Sequence, residues 1–204
     1  MEMKSRLLVP AEAEADEYAG TDPRKELVKQ LLAKGANPNA RTAKAEMGPR
    51  GGGGFRFVSG EQTPLMLAAR ANKEDVMRML VAAGADPKLK AQDGSTLLMA
   101  AAGSGHVGVV KYAYELDPDV KAVSSTGATA MHSAVTFTTA NATQAEVCEV
   151  VQFLADKGVP LDEKDARGRT PIEIADILPI DKAVDLMTQL IIKSGATPKK
   201  ITKR

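Results

Sequence analysis

A short segment that begins with threonine recurs at a fixed interval along the chain. It reads TPLMLAA from Thr63, TLLMAAA from Thr96, TAMHSAV from Thr129 and TPIEIAD from Thr170. The first two intervals are 33 residues each, and the third, of 41 residues, is one such period with eight residues added. A period of this size indicates stacked copies of one small structural unit. This repeat constrains the fold more than any other feature of the sequence.

A second recurring segment follows the first. It reads VMRMLVAAGADP from Val76, VVKYAYELDPDV from Val109, VVQFLADKGVPL from Val150 and LMTQLIIKSGATP from Leu186, and it occurs upstream as LVKQLLAKGANPNA from Leu27. Together the two segments predict a helix–turn–helix–loop unit, present in about five copies. With only 3% aromatic residues, the core must be built from Ala, Leu, Val and Met, a composition that suits closely packed helices.

The residue types at the ends of each segment support this prediction. The threonine is placed to accept hydrogen bonds from the free first-turn amides, and Pro64 and Pro171 stand at the first helical position. Apolar residues at helical spacing, as in Val76, Met79 and Leu80, predict the apolar face of the second helix, and Phe153 in a later copy is likewise predicted to belong to the repeat core. Glycines placed for left-handed caps follow four of the second helices: Gly35, Gly84, Gly158 and Gly195.

These segments resemble the ankyrin repeat, whose period is 33 residues and whose signature reads T-P-L-H-x-A. The resemblance covers about residues 20–198, and VVQFLADKG followed by DARGRTPIEIAD resembles bacterial ankyrin-repeat proteins in particular. It implies an all-α solenoid of about five helix–turn–helix units with short β-turn fingers. His132 stands at the family's histidine position, which implies hydrogen bonds between neighbouring loops. The chain departs from the pattern at Asp117, which replaces the terminal glycine of the third unit.

The repeat also predicts the domain boundaries. Residues 1–20 are expected to form a divergent N-terminal capping segment, because a terminal repeat faces water on one side. Residues 199–204 form a basic tail. The ankyrin-repeat domain covers residues 21–198, and its units are predicted at about 6–42, with a finger insertion at 41–60, and at 61–93, 94–126, 127–167 and 168–198.

Charge and cysteine content exclude several classes of function. With 27 basic and 26 acidic residues, the net charge of +1 gives no electrostatic case for binding nucleic acid or a membrane surface. The single Cys148 excludes an intramolecular disulfide and a multi-cysteine metal site, and its position in a second segment predicts a small core residue. His106 and His132 stand in different helical positions without ligand spacing. We therefore expect no enzyme, no metal and no cofactor.

The sequence leaves the compartment open. No run of 18 apolar residues occurs, and the first residues turn acidic before a signal-peptide core can form. We expect a soluble chain that is cytoplasmic, or periplasmic if a signal has been removed.

The insertion in the first finger is rich in glycine. The distance from Gly35 to Gly84 is 49 residues, one period plus 16, and the insertion contains GPRGGGGFRFVSG without the Gly-Lys-Ser/Thr of a nucleotide loop. ARTAKA and FRFVS are predicted to pair as short strands around the glycine tip, with Phe55 and Phe57 on one face and Arg56 on the other. Three alternatives remain open for these side chains: partner contact, packing onto the first unit, or a disordered linker.

The family resemblance implies a protein-interaction module whose groove and fingers bind a partner protein. Aromatic and arginine side chains are frequent anchors of such interfaces. The predicted partner-binding residues are Phe55, Arg56 and Phe57 in the inserted finger, Arg70 and Asn72 at the end of a first helix, Lys88, Lys90, Gln92, Lys121, Ser124, Glu163 and Lys164 in the later fingers, and Phe137 in the eight-residue insertion. The alternative function is a structural accessory subunit constitutively embedded in a larger assembly. The sequence identifies neither the partner nor the oligomeric state.

Overall fold

The computed structural model describes residues 22–44, 60–136, 142–178 and 180–195. Across these ranges the regular secondary structure consists of nine α-helices, and no strand is formed. The prediction of an all-α fold is confirmed for this part of the chain. The chain divides into two compact units, residues 1–36 and 37–204. The predicted capping segment, the tip of the inserted finger and the basic tail lie outside the described residues.

The first compact unit contains helix α1 (Pro23–Ala33). The Asp22 side chain caps it by accepting a hydrogen bond at 3.0 Å from the N–H two residues on. The helix ends before Gly35, whose φ of +83° is the left-handed conformation predicted for this cap. The N–H of Ala36 then donates to the carbonyl of Leu31 at 3.0 Å. None of the eleven residues of α1 is buried.

The second compact unit contains four helix pairs. They are α2 (Pro64–Arg70) with α3 (Glu74–Ala82), α4 (Leu97–Ala102) with α5 (Val107–Leu116), α6 (Ala130–Thr136) with α7 (Gln144–Asp156), and α8 (Pro171–Ile177) with α9 (Asp181–Lys193). Helices α2, α4, α6 and α8 contact one another in succession and form a first-helix layer. Helices α3, α5, α7 and α9 do the same and form a second-helix layer. Each predicted threonine segment thus begins a first helix.

Threonine caps three of the first helices as the sequence predicts. The hydroxyl oxygens of Thr63, Thr96 and Thr170 accept hydrogen bonds from N–H groups three residues on, at 3.3, 3.4 and 3.4 Å. Pro64 and Pro171 occupy the first helical position, where no amide is needed. The predicted glycine caps of α3, α7 and α9 also form, because the glycines that follow these helices have φ between +83° and +90°.

The core differs from the sequence prediction at three places. In α3 the buried side chains are Met77 and Leu80, whereas Val76 and Met79 are partly exposed. Phe153 in α7, expected in the core, is also partly exposed. Cys148 in the same helix is half-buried rather than a core residue, and burial raises the pKa of its thiol. The two side chains of α7 lie on either side of its buried face: Phe153 packs against Tyr114 of α5, whereas the charge of Lys182 in α9 acts on Cys148.

Candidate functional site

Three turns precede capping threonines and share one backbone geometry. We number the turns after the helix pair that each one precedes in the second compact unit: turn 2 covers residues 91–95, turn 3 covers 124–128 and turn 4 covers 165–169. In each turn the first N–H donates to the carbonyl four residues on, at 3.0, 2.9 and 2.9 Å. The fourth position is a glycine with positive φ in every case: Gly94, Gly127 and Gly168, at +78°, +73° and +74°. Two of the predicted partner contacts, Gln92 and Ser124, lie in these turns, and the other predicted contacts of the later fingers lie in the residues just before them.

Backbone hydrogen bonds join each turn to the one before it. In each of these bonds, the carbonyl stands three residues before the threonine of one repeat. The N–H that donates to it stands four residues before the threonine of the following repeat. The three bonds run from Gln92 to Gly60 at 2.9 Å, from Ser125 to Asp93 at 2.7 Å and from Ala166 to Thr126 at 2.8 Å. Because all three use backbone atoms, they fix the spacing of the turns without constraining most side chains.

The inserted finger begins and ends on this ladder. The N–H of Thr42 donates to the carbonyl of Gln62 at 3.0 Å, and the N–H of Glu61 donates to the carbonyl of Ala43 at 3.3 Å. The Gln62 N–H also donates to the Thr42 hydroxyl at 2.9 Å. The two ends of the insertion are therefore bonded to each other. The first predicted strand, ARTAKA, does not form over its described residues 40–44, which have no regular secondary structure. The second predicted strand and the tip, including Phe55, Arg56 and Phe57, lie outside the described residues.

Arg41 anchors the same region to turn 2. Its Nη1 donates to the carbonyl of Glu61 at 3.1 Å and to the carbonyl of Lys90 at 2.8 Å. Glu61 occupies the turn position that Gly94 holds in turn 2, and its φ of +55° is unusual for a residue with a side chain. Its carboxylate lies 3.8 Å from the ammonium of Lys44. The start of the insertion is thus held by side-chain as well as backbone bonds.

His132 in α6 stands at the histidine position of its repeat and forms a polar network with residues of two repeats. His132 is 2% exposed, and its Nδ1 lies 3.2 Å from the N–H and 3.0 Å from the hydroxyl oxygen of Thr129. Its Nε2 lies 3.2 Å from the carbonyl oxygen of Arg169 in turn 4. Burial lowers the pKa of His132, while the hydrogen bond to Arg169 opposes that shift. The ring joins α6 to turn 4, as the family resemblance implies.

Turn 4 carries an internal ion pair. The Asp165 carboxylate accepts from the N–H groups of Arg167 and Arg169 at 2.9 Å, and from the Arg169 guanidinium at 3.1 and 2.7 Å. Burial alone would raise the pKa of Asp165, but these hydrogen bonds outweigh burial and hold the pKa below its usual value. Both charges are therefore used to stabilise the turn.

Seven of the predicted partner contacts that the structure describes are exposed, and Ser124 is buried. Exposed side chains are found at Asn72, Lys88, Lys90, Gln92, Lys121, Glu163 and Lys164. Ser124 is only 7% exposed, and its hydroxyl lies 2.9 Å from that of Thr126 and accepts from the N–H of Ala128 at 3.2 Å. Because its side chain is used within turn 3, Ser124 does not fit the predicted role of partner contact.

Arg70 and Asn72 lie at the end of α2, as expected from the sequence. Arg70 is half-buried, and this burial lowers the pKa of its guanidinium, while the charge of Asp93 opposes the shift. Asn72 has a φ of +55°, a conformation that asparagine tolerates better than most residues. Phe137, predicted as a further contact, lies outside the described residues, between α6 and α7.

The sequence prediction missed the aromatic side chains of the second-helix layer. The Arg78 guanidinium lies 4.1 Å from the centre of the Tyr112 ring and is bonded to Glu74 at 2.6 and 3.0 Å. The rings of Tyr114 and Phe153 meet edge to face, with centroids 5.7 Å apart. The sequence pattern could have indicated these contacts, because Tyr112 and Phe153 occupy the same position of the second segment, three residues after its first valine.

The second-helix layer also holds a polar link between α5 and α7. The Nδ1 of His106, just before α5, lies 3.1 Å from a carboxylate oxygen of Glu146. The other oxygen of Glu146 accepts from the N–H and hydroxyl of Thr143, at 2.7 and 2.8 Å. These bonds from Thr143 lower the pKa of Glu146, and His106 contributes in the same direction. The contact supports a structural role for His106.

The described residues form neither a clustered metal site nor a membrane-spanning helix. Within these ranges no group of three or more His, Cys, Asp or Glu side chains is arranged to hold a metal ion. None of the helices described above is both long and apolar enough to cross a membrane.

Comparison with known proteins identifies the repeats. A family model described as ankyrin repeats (3 copies) matches residues 65–165, which are just under half of the chain. The human 2-5A-dependent ribonuclease is 35% identical to the chain over 82 residues, which are 40% of this chain and 9% of that protein. The matched segment thus spans a small part of the ribonuclease. Ankyrin repeats are in general protein-interaction modules and are typically non-enzymatic.

Proposed function

We propose that this chain is a non-catalytic protein-interaction module that binds a partner protein through a groove along the first-helix layer and through the inserted finger. The observation that carries the proposal is the unbroken ladder of turns. Gln92 bonds to Gly60 with the same register that Ser125 uses with Asp93, although 16 extra residues precede Gly60. The insertion therefore leaves the register of the turns unchanged, and insertions into the loops of repeat proteins often lie on the binding face.

The ends of the insertion favour a defined binding element over a free linker. The bonds between Thr42 and Gln62, together with the Arg41 bond to the Lys90 carbonyl, fix where the segment leaves and rejoins the repeats. A segment anchored at both ends loses less conformational freedom on binding than one anchored loosely. Phe55, Arg56 and Phe57 supply the residue types that most often anchor interfaces.

The later fingers extend the proposed surface. Lys88 and Lys121 stand at equivalent positions, eight residues before Thr96 and Thr129, and both are exposed. Glu163 and Lys164 are exposed in the following loop. Arg70, Asn72, Lys90, Gln92 and Phe137 complete the proposed contacts, and Ser124 is left out. Because the backbone ladder holds these loops in place, partner binding has a low ordering cost.

The test compares three forms of the chain in cross-linking pull-downs from the native source. One is the intact chain, one has residues 45–59 replaced by a short Gly-Ser turn that keeps Arg41 and the paired ends, and one carries Phe55→Ala, Arg56→Ala and Phe57→Ala. The proposal expects one partner protein to be captured by the intact chain and lost with both variants. A variant with Lys193→Ala on α9 is the matched control and should retain the partner. Retention of the partner by all forms would contradict the role of the finger.

A structural accessory subunit is the second candidate function. It is favoured by exposed apolar side chains among the described residues of the second compact unit: Ile177 at 71%, Ile192 at 59%, Val123 at 55% and Leu67 at 42%. A constitutive subunit is expected to self-associate or melt at low temperature when isolated, whereas an interaction module is expected to be a stable monomer. Size-exclusion chromatography and thermal melting of the isolated chain distinguish the two.

The same proposal includes three further points from the sequence: the count of five repeat units, the unit boundaries given above and the resemblance to bacterial proteins. The count is supported by α1, whose glycine cap matches those of α3, α7 and α9. The bacterial resemblance rests on VVQFLADKG and DARGRTPIEIAD.

A further inference from the structure

Two aromatic rings and two ammonium groups converge where α5 contacts α7. We call Lys111, Tyr114, Phe153 and Lys157 the α5–α7 aromatic cluster. The Lys157 ammonium lies 4.9 Å from the centre of the Tyr114 ring and 5.5 Å from that of Phe153. The Lys111 ammonium lies 6.0 Å from the Phe153 centre. Both rings are partly exposed, and both lysines are exposed, so the cluster is accessible from solvent.

The charges of this cluster are not neutralised within the described residues. The neighbouring Arg78 is bonded twice to Glu74, and this pairing raises the pKa of the guanidinium. In contrast, Lys111 and Lys157 form no ion pair with any described carboxylate. Along the chain, the acidic residue nearest to Lys157 is Asp156, which accepts a hydrogen bond at 2.8 Å from Gln152, and the one nearest to Lys111 is Glu115, four residues on. The cluster therefore presents two unneutralised cations around an apolar centre.

The arrangement is suited to a carboxylate beside an apolar side chain. A cation held against an aromatic face is already ordered, so pairing with an anion costs little further side-chain entropy. Partly exposed aromatic rings bordered by basic groups are also the composition of interface hot spots. Stacking of nucleic-acid bases is disfavoured, because the two rings meet at 90° and an ammonium lies over each.

We propose that the α5–α7 aromatic cluster is a second protein-binding surface, which receives an acidic side chain flanked by an apolar one from a partner protein. It lies in the second-helix layer, whereas the groove and fingers proposed above belong to the first-helix layer and the turns. The proposal is therefore independent of the function proposed above, and the chain has a means of holding two partners at once.

The test is an NMR titration of the ¹⁵N-labelled 204-residue chain with a blocked twelve-residue peptide that contains glutamates and two leucines. The expected result is chemical-shift change at the amides of residues 107–116 and 150–157. Lys111→Glu with Lys157→Glu should weaken binding about tenfold or more, and Lys111→Gln with Lys157→Gln should weaken it less. Thermal melting verifies that each variant is folded.

The control variant carries Lys88→Glu and Lys121→Glu in the fingers, three residues before turns 2 and 3, and should bind the peptide within about twofold of the unmodified chain. Loss of binding in this variant alone would assign the peptide to the fingers and overturn this inference, while leaving the proposed function intact. Equal binding of a peptide with glutamine in place of glutamate would also overturn it. So would the absence of shift changes in α5 and α7 at millimolar peptide, or tighter binding of an oligouridylate of similar length.

Discussion

The Nε2 atom of His132 lies 3.2 Å from the carbonyl oxygen of Arg169, which is 37 residues further along the chain. Because Nδ1 faces the N–H of Thr129 at 3.2 Å, Nδ1 accepts and Nε2 carries the proton that is donated to Arg169. A single neutral tautomer satisfies both bonds. A protonated ring would direct a second N–H at the Thr129 amide and break the arrangement.

The free energy of unfolding should therefore depend on pH through His132. Burial keeps the folded pKa below the ordinary value of 6.5, so the unfolded chain binds the proton more tightly than the folded chain. This contribution is complete above the unfolded pKa and is lost as the pH falls below about 6.5. Urea unfolding at pH 5 and pH 8 should show a smaller pH dependence for His132→Gln than for the unmodified chain. Equal pH dependence of the two chains would contradict the assignment.

Gly127→Ala should destabilise the chain more than Gly168→Ala. A Cβ at Gly127 would lie 2.8 Å from the backbone nitrogen of Ala166 and 3.0 Å from the Cα of Asp165. At Gly168, with a similar φ of +74°, it would meet no atom within 4 Å. We expect a loss of about 1 kcal/mol for Gly168→Ala from backbone strain, and roughly 2–4 kcal/mol for Gly127→Ala, where crowding adds to that strain. Chemical denaturation of both variants measures the difference.

Glu61→Gly should stabilise the chain relative to Glu61→Ala. Both variants remove the carboxylate that lies 3.8 Å from Lys44, but only glycine adopts the φ of +55° without strain. We expect a difference of about 1 kcal/mol in the free energy of unfolding. The alanine variant is the control for the lost ion pair. A glycine variant no more stable than the alanine variant would mean that residue 61 is not strained.

Asp165→Ala should cost more than Asp165→Asn. Alanine removes every acceptor that serves Arg167 and Arg169, whereas asparagine keeps one oxygen for the backbone N–H groups at 2.9 Å. We expect a loss of about 2 kcal/mol for alanine and about half of that for asparagine. Asp162→Ala, at an exposed position in the same loop, is the control and should change stability little. Thermal melting of the three variants ranks them, and equal losses at position 165 would exclude this explanation.

Local features were the most predictable from the sequence. The caps at Thr63, Thr96 and Thr170 depend on atoms three residues away, and the glycine caps depend only on backbone conformation. Residue identity alone fixes such features. The same reasoning gave the first- and second-helix order, because the 33-residue interval is read directly from the threonines.

Features that depend on helix rotation or on a neighbouring loop were harder to predict. Spacings of three and four residues fit more than one face of α3, so the pattern did not distinguish Met77 from Val76. Ser124 was predicted as a partner contact because it lies in a finger, yet its hydroxyl bonds to Thr126 and Ala128 within the turn. Phe153 was assigned to the core by its position, although its ring packs edge to face with Tyr114 at the surface.

The bonds between the ends of the insertion make residues 44 and 60 a natural attachment point for foreign sequence. Thr42, Glu61 and Gln62 close the loop through their backbone atoms, and the Gln92 N–H donates to the carbonyl of Gly60. A segment inserted between these ends thus begins and ends at two stretches of backbone that are already hydrogen-bonded to each other. In protein engineering terms, the chain is a display scaffold whose loop length and content can be exchanged while its frame is left untouched.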